Sequence, residues 1–100
     1  MAIAVVMDFK GATLEQYDQV AERMGVAGSH QAPEGALSHW VCATGDGIRI
    51  TDVWESREQF EKFAREQIGP HSEAVGIPGP PELTLYDAHN YMLSTSGVPA

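Results

Sequence analysis

His39, Asp52 and Trp54 are the residues whose types and spacing could support chemistry. His39 lies in a strand-like stretch, residues 36–44, and Asp52 and Trp54 lie in a second, residues 48–55. Asp46-Gly47 between them is a hairpin signal, because both positions tolerate positive φ. A two-residue turn at Gly45-Asp46 or at Asp46-Gly47 pairs odd positions of the first strand with even positions of the second. Leu37, His39, Val41 and Ala43 therefore share a face with Ile48, Ile50, Asp52 and Trp54. A carboxylate beside an imidazole fixes the ring's tautomer and favours its protonated form, which makes a general base suited to neutral pH. Cyclisation, isomerisation and proton removal beside a carbonyl need little beyond that base and an enclosed pocket. The plainer alternative is a cross-strand His-Asp pair that fixes register. Trp54 would wall a pocket for a planar molecule, or simply anchor an apolar core.

Other polar residues are less tightly specified. His71 follows Gly69-Pro70 at the end of a helical stretch, where a solvated loop histidine competes with a working one. In residues 82–92, alternation puts Asp87, His89 and Tyr91 on one side and Tyr86, Ala88 and Asn90 on the other. His89 and Tyr91 are expected near the cavity or interface. His30 sits in a loop and is expected in solvent. Cys42 shares its face with Trp40, expected under the helices, which makes it a buried, inert thiol. No HxH, HExxH or CxxC spacing points to a metal site. No glycine-rich loop follows a strand in a phosphate-binding pattern.

The chain has 100 residues, one domain's worth, and room for a core but little room for a deep pocket of its own. The formal charge of −8 and only six Lys and Arg, scattered among acids, argue against nucleic acid as a partner. No apolar run approaches the roughly 18 residues of a membrane span. The short run at residues 3–7 lacks the basic flank of a signal peptide. A single cysteine forbids an internal disulfide and fits a cytoplasmic protein.

The elements that must position these residues can be read in order. Residues 2–9 form an apolar, β-rich run. Thr13-Leu14-Glu15-Gln16 is a capping box, and Leu14, Tyr17, Val20, Ala21 and Met24 form one apolar stripe before Gly25. Residues 26–35 read as a mobile loop. After the hairpin, Ser56-Arg57-Glu58-Gln59 is a second capping box, with Phe60, Phe63, Ala64 and Ile68 on the buried side. Gly69-Pro70 is expected to break that helix. Residues 71–75 add a turn, 77–81 form a stiff connector, and 82–92 form the last strand. Residues 1–93 thus make one domain and 94–100 a flexible tail.

The order β-α-β-β-α-β is the ferredoxin-like pattern: an α+β fold with two helices on one face of a four-stranded antiparallel sheet. In the first strand Ile3, Val5, Met7 and Phe9 are the bulkier set and are expected under the helices. Ala4, Val6 and Asp8 then join His39, Asp52 and Trp54 on the open face. Leu37, Val41, Ile48 and Ile50 there would be an unusual apolar patch for a monomer, which implies a homodimer with facing sheets around a cavity.

Here the chain resembles the dimeric α/β-barrel superfamily, and within it the antibiotic-biosynthesis-monooxygenase-like proteins. The resemblance is carried by Asp52-Val53-Trp54-Glu55-Ser56, by Glu58-Gln59-Phe60-Glu61-Lys62-Phe63, and by the closing stretch with Tyr86 and His89-Asn90. It spans about residues 2–93 by element order and length. It implies the fold and dimer just described. For activity it implies a range: cofactor-free monooxygenases, haem-degrading enzymes, polyketide cyclases and lactone isomerases. Trp54 matches the tryptophan that closes the third strand in monooxygenase and haem-degrading members. The haem-degrading type also has an asparagine on the first strand, where this chain has Ala4. It has a histidine on the helix after the tryptophan, near Arg65 here, so haem degradation is disfavoured. Polyketide cyclases carry a working histidine in the region of His71.

The leading expectation is a small cofactor-independent enzyme, of cyclase or isomerase type. It acts on an apolar, aromatic or polyketide-like molecule in a cavity of the barrel. His39, Asp52 and His89 would be the catalytic groups. Trp54, Tyr91, Ile50, Val41, Tyr86, Asn90 and His71 would contact the substrate. A cofactor-free monooxygenase of the same fold is the named alternative. The others are a non-catalytic binder of haem or another small ligand, with His39, His71 or His89 as axial ligand, and a plain structural dimer.

Overall fold

Alternating apolar side chains in Ile3–Lys10 make the first strand, β1, the spine of the sheet. The structure, a computed structural model, describes residues 1–25 and 32–92. Helix α1 (Leu14–Met24) follows, then strands β2 (Ala36–Ala43) and β3 (Gly47–Trp54), helix α2 (Arg57–Phe63), a π-helical turn (Ala64–Ile68), helix α3 (Gly69–Ala74) and strand β4 (Glu82–Asp87). The strands lie in the order β2-β3-β1-β4, with every neighbouring pair antiparallel. This is the expected ferredoxin-like sheet. Part of the predicted 26–35 loop and the whole predicted tail lie outside the described residues.

The helix starts follow the local chemistry. The Thr13 hydroxyl accepts from the Gln16 amide at 3.1 Å, and the Gln16 side chain accepts from the Thr13 amide at 3.0 Å. Ser56 caps α2 through the Gln59 amide at 3.3 Å. There the Gln59 side-chain oxygen accepts from the Ser56 hydroxyl instead of from the backbone.

Gly69-Pro70 does not break the second helix, as the sequence suggested. Pro70 has no N–H to give, and its ring would crowd the preceding turn of a regular helix. The chain widens instead: the Gly69 amide reaches back five residues to the Ala64 carbonyl. This π turn lets α3 continue beyond the proline.

Register decides which face is buried. His39 opposes Asp52, Val41 opposes Ile50 and Ala43 opposes Ile48, as the hairpin parity predicts. Across β1, Ile3 opposes Trp54, Val5 opposes Asp52, Met7 opposes Ile50 and Phe9 opposes Ile48. Directly opposed residues share a face. Asp52, Trp54 and His39 therefore lie on the same side as Ile3, Val5 and Met7, under the helices. This corrects the expectation that they occupy the open face. The core on that side joins these residues to Val20 of α1, Phe60 of α2 and Ile77.

The open face instead carries Ala4, Val6, Asp8, Trp40, Cys42, Arg49, Thr51, Val53, Thr84 and Tyr86. Cys42 is thus only half-buried and away from the helices, and Trp40 is exposed. Asp8 and Arg49, directly opposed on this face, form a two-pronged ion pair at 2.7 and 3.2 Å.

Candidate active site

The helix-covered face holds a chain of four polar side chains drawn from three elements. Nδ1 of His39 lies 2.6 Å from Oδ1 of Asp52. Nε1 of Trp54 donates to the other carboxylate oxygen at 3.1 Å. On the far side of the imidazole, Nε2 lies 2.5 Å from the hydroxyl of Tyr17, on α1. The phenol and imidazole planes are within 17° of each other, with centroids 5.9 Å apart.

Burial grades along this chain. Trp54 is 1 % exposed, and its indole meets the rings of Phe60 and Phe63 at 5.8 and 5.3 Å. The Asp52 side chain is 7 % exposed and that of His39 is 47 % exposed. A carboxylate this buried is tolerable only when hydrogen-bonded, and both its oxygens are engaged. No buried side-chain polar atom among the described residues lacks a partner.

The network fixes the direction of each bond. Asp52 accepts at Nδ1, so the neutral imidazole carries its proton there. Nε2 is then the acceptor for the Tyr17 hydroxyl. Burial, followed by the negative charges of Asp52 and Asp18, raises the Tyr17 pKa above 10.0, its ordinary value. Tyr17 is therefore a neutral phenol across the physiological range. The arrangement can accept one proton at His39, with the resulting imidazolium held against a buried carboxylate.

The other residues singled out from the sequence are dispersed. Ile50 is buried and Val41 half-buried in the core beneath the chain. His71 lies within α3, where its ring nitrogens meet the Gln67 side chain at 3.2 Å and the Arg23 guanidinium at 3.3 Å. Tyr86 is 62 % exposed on the open face. Strand β4 ends at Asp87, short of the expected residue 92, and the Ala88 amide closes onto the Ala2 carbonyl at 2.9 Å. His89, Asn90 and Tyr91 follow that end and are exposed. The alternation argument for them needed a strand that does not extend so far.

Tyr17 is the participant that sequence reasoning missed. It was placed in the α1 stripe as an apolar contact. Its signal was being the one member of that stripe with a polar tip.

The two clearest hollows, about 630 Å³ beside Gln19, Glu22, Arg23, Ala74 and Val75 and about 290 Å³ around Asp8, Lys10, Arg49 and Glu82, are open to solvent. Neither is lined by the four-residue chain. Among the four, His39 and Tyr17 are the ones that solvent reaches. Among the described residues no three His, Cys, Asp or Glu side chains cluster as a metal site would require. Both nitrogens of His39 are already engaged, so it could ligate haem iron only after losing one of these partners.

Several solved structures share this fold. A Chloroflexus aurantiacus protein assigned as an antibiotic biosynthesis monooxygenase is 21 % identical, with a TM-score of 0.61 over 92 % of this chain and 97 % of its own. The Streptomyces coelicolor monooxygenase from the gene ActVA-Orf6, solved with nanaomycin D, is 24 % identical, with a TM-score of 0.52 over 94 % and 92 %. SnoaB of Streptomyces nogalater, a cofactor-independent oxygenase, is 19 % identical, with a TM-score of 0.55 over 93 % and 97 %. The chain thus has the ferredoxin-like α+β fold of the antibiotic biosynthesis monooxygenase structures. No protein-family profile and no curated protein matches its sequence.

Proposed function

We propose that this chain is a cofactor-independent monooxygenase acting on an enolisable aromatic ketone. The observation that carries the reading is the Tyr17–His39–Asp52–Trp54 hydrogen-bonded chain, whose only well-exposed histidine edge opens at one side of the sheet. A substrate that reacts with O2 once deprotonated needs no metal or flavin. The protein has only to remove a proton and steady the anion. For an anthrone, the ring CH2 becomes a carbonyl: one oxygen atom of O2 bonds to that carbon, and the two hydrogens leave with the other as water.

The likeness to SnoaB and ActVA-Orf6 favours this reading over a cyclase or isomerase, which would use the same proton transfer without oxygen. His39 would accept the proton and Asp52 would hold its tautomer. Trp54 would fix Asp52 from below. His89, Asn90, Tyr91, Tyr86 and His71 have no part in this version of the site. Residence in the cytoplasm belongs to the same proposal and rests on the single cysteine. So does a homodimer, now formed through the Trp40–Val53–Tyr86 face.

The test is oxygen uptake with 1,8-dihydroxy-9-anthrone. The wild-type chain should exceed the buffer rate, and His39→Gln should lose about a hundredfold or more in kcat. Equal rates in the two proteins would sink the assignment. Conversion of a ketone substrate without oxygen uptake would move the reading to an isomerase.

A further inference from the structure

We propose that Tyr17, not His39, is the residue that touches the substrate, its phenol oxygen taking an enol or phenol proton while its own proton passes to Nε2 of His39. The inference deepens the proton-removal reading above and rests on it. An imidazole has two nitrogens, and here neither is free: Asp52 holds Nδ1 at 2.6 Å and Tyr17 holds Nε2 at 2.5 Å. A ligand can reach the base without dismantling the chain only through the phenol oxygen, which keeps acceptor capacity when its proton points at His39. Tyr17 is half-buried on α1 at the edge where the chain meets solvent, whereas Asp52 and Trp54 lie beneath.

The step balances in atoms and charge. The ligand's O–H bond breaks and a new Tyr17 O–H bond forms. The former Tyr17 O–H bond breaks and a His39 Nε2–H bond forms. Tyr17 ends as the phenol it began as, the ligand is an oxyanion, and His39 is an imidazolium between Asp52 and Tyr17. The new phenol proton then donates to the oxyanion. Run backwards, the same path returns the proton to the product. Among the described residues, the charges that act on Tyr17 are Asp52 from β3 and Asp18 from α1. Both disfavour a phenolate, so Tyr17 has a proton to pass at neutral pH.

The ligand class follows. A planar aromatic with a hydroxyl, or a ketone present as its enol, fits. An aromatic without an ionisable oxygen does not.

Two probes separate this inference from the oxygenase reading. The first is 2-hydroxyanthraquinone, which cannot turn over and whose visible band moves to longer wavelength on ionisation. Wild type should bind it as the anion at a pH where the free probe is neutral. Tyr17→Phe, checked for folding by circular dichroism, should leave the bound probe neutral or fail to bind it. The second is 1,8-dihydroxy-9-anthrone, for which Tyr17→Phe should lose about a hundredfold or more in kcat. An ionised probe in wild type without anthrone turnover would keep the Tyr17 inference and end the oxygenase one. Anthrone turnover unchanged in Tyr17→Phe but lost in His39→Gln would do the reverse. A probe that wild type neither binds nor ionises, or that Tyr17→Phe ionises as well as wild type, overturns the inference.

Discussion

The Asp52 carboxylate accepts from His39 with one oxygen and from Trp54 with the other, and an amide in its place has a definite consequence. In Asp52→Asn the amide oxygen can keep the indole N–H, and the amide nitrogen can donate to Nδ1 of His39. The imidazole then carries its proton on Nε2 and donates to Tyr17, so no polar atom is orphaned. Folding stability should fall by under about 1 kcal/mol, the scale of one ordinary hydrogen bond. Proton uptake at Nε2 is blocked, and kcat should fall about 10²–10⁴-fold. Urea melts and oxygen uptake on the same variant check both halves. Tyr17 adds a pH prediction. Its pKa is raised in the folded chain, so folding favours the neutral phenol. The associated stability is fully present below pH 10, the ordinary phenol value, and is lost as pH rises through the higher folded value. Wild type should lose stability on that alkaline side more steeply than Tyr17→Phe in denaturant melts across the range. Equal slopes would refute it. At this scale the sequence showed half of the site. His39 and Asp52 were legible because hairpin parity forces them together. Tyr17, 22 positions from His39, meets it only after α1 docks, and no local spacing encodes that.

Elements were legible wherever chemistry is local: both helix caps, the hairpin, and the strands up to their ends. The buried face was not. Both parities of β1 are largely apolar, so bulk alone placed Ile3, Val5, Met7 and Phe9 under the helices, correctly. Nothing in the strand itself said which parity of β3 would oppose them. The turn joining β2 and β3 shows the same division between composition and context. None of its glycines has a positive φ. Gly47 is required for space instead: a Cβ there would sit 2.0 Å from the Phe9 carbonyl oxygen, whereas one on Gly45 would meet nothing within 4 Å. Gly47→Ala should cost at least about 1–3 kcal/mol, because β1 and β3 must part to admit the methyl. Gly45→Ala should stay within about 0.5 kcal/mol. Thermal melts of the two variants make the comparison, and equal effects would refute it.

On the scale of the whole molecule, the sheet separates two jobs. One face is sealed by helices and carries the hydrogen-bonded chain. The other presents Trp40, 51 % exposed, and Tyr86, 62 % exposed, beside Val6, Val53 and the Asp8–Arg49 pair. If a second copy covers that face, Trp40 is its natural anchor, since buried aromatics dominate interface energetics. Sedimentation should show a dimer for wild type. Trp40→Glu should weaken it about 30-fold or more, the equivalent of about 2 kcal/mol. Two chains of charge −8 repel each other, so added salt should tighten the dimer by screening. A monomeric wild type at all salt concentrations would refute this assignment of the face. Helical content should survive Trp40→Glu, because the substitution lies on the side away from the helices.

The strict alternation of β3 also limits how this domain can change in length. Ile48, Ile50, Asp52 and Trp54 point one way and Arg49, Thr51 and Val53 the other. Deleting or inserting one residue within β3 would hand Asp52 and Trp54 to the outer surface and turn Val53 to the interior. Two residues would restore the assignment. Strand β2 contains one such irregularity: the register slips between Ala36 and Ser38, and Ala36 faces Trp54. Length changes within β3 among relatives of this chain should therefore come in even steps. An odd step should come with a second irregularity that cancels it.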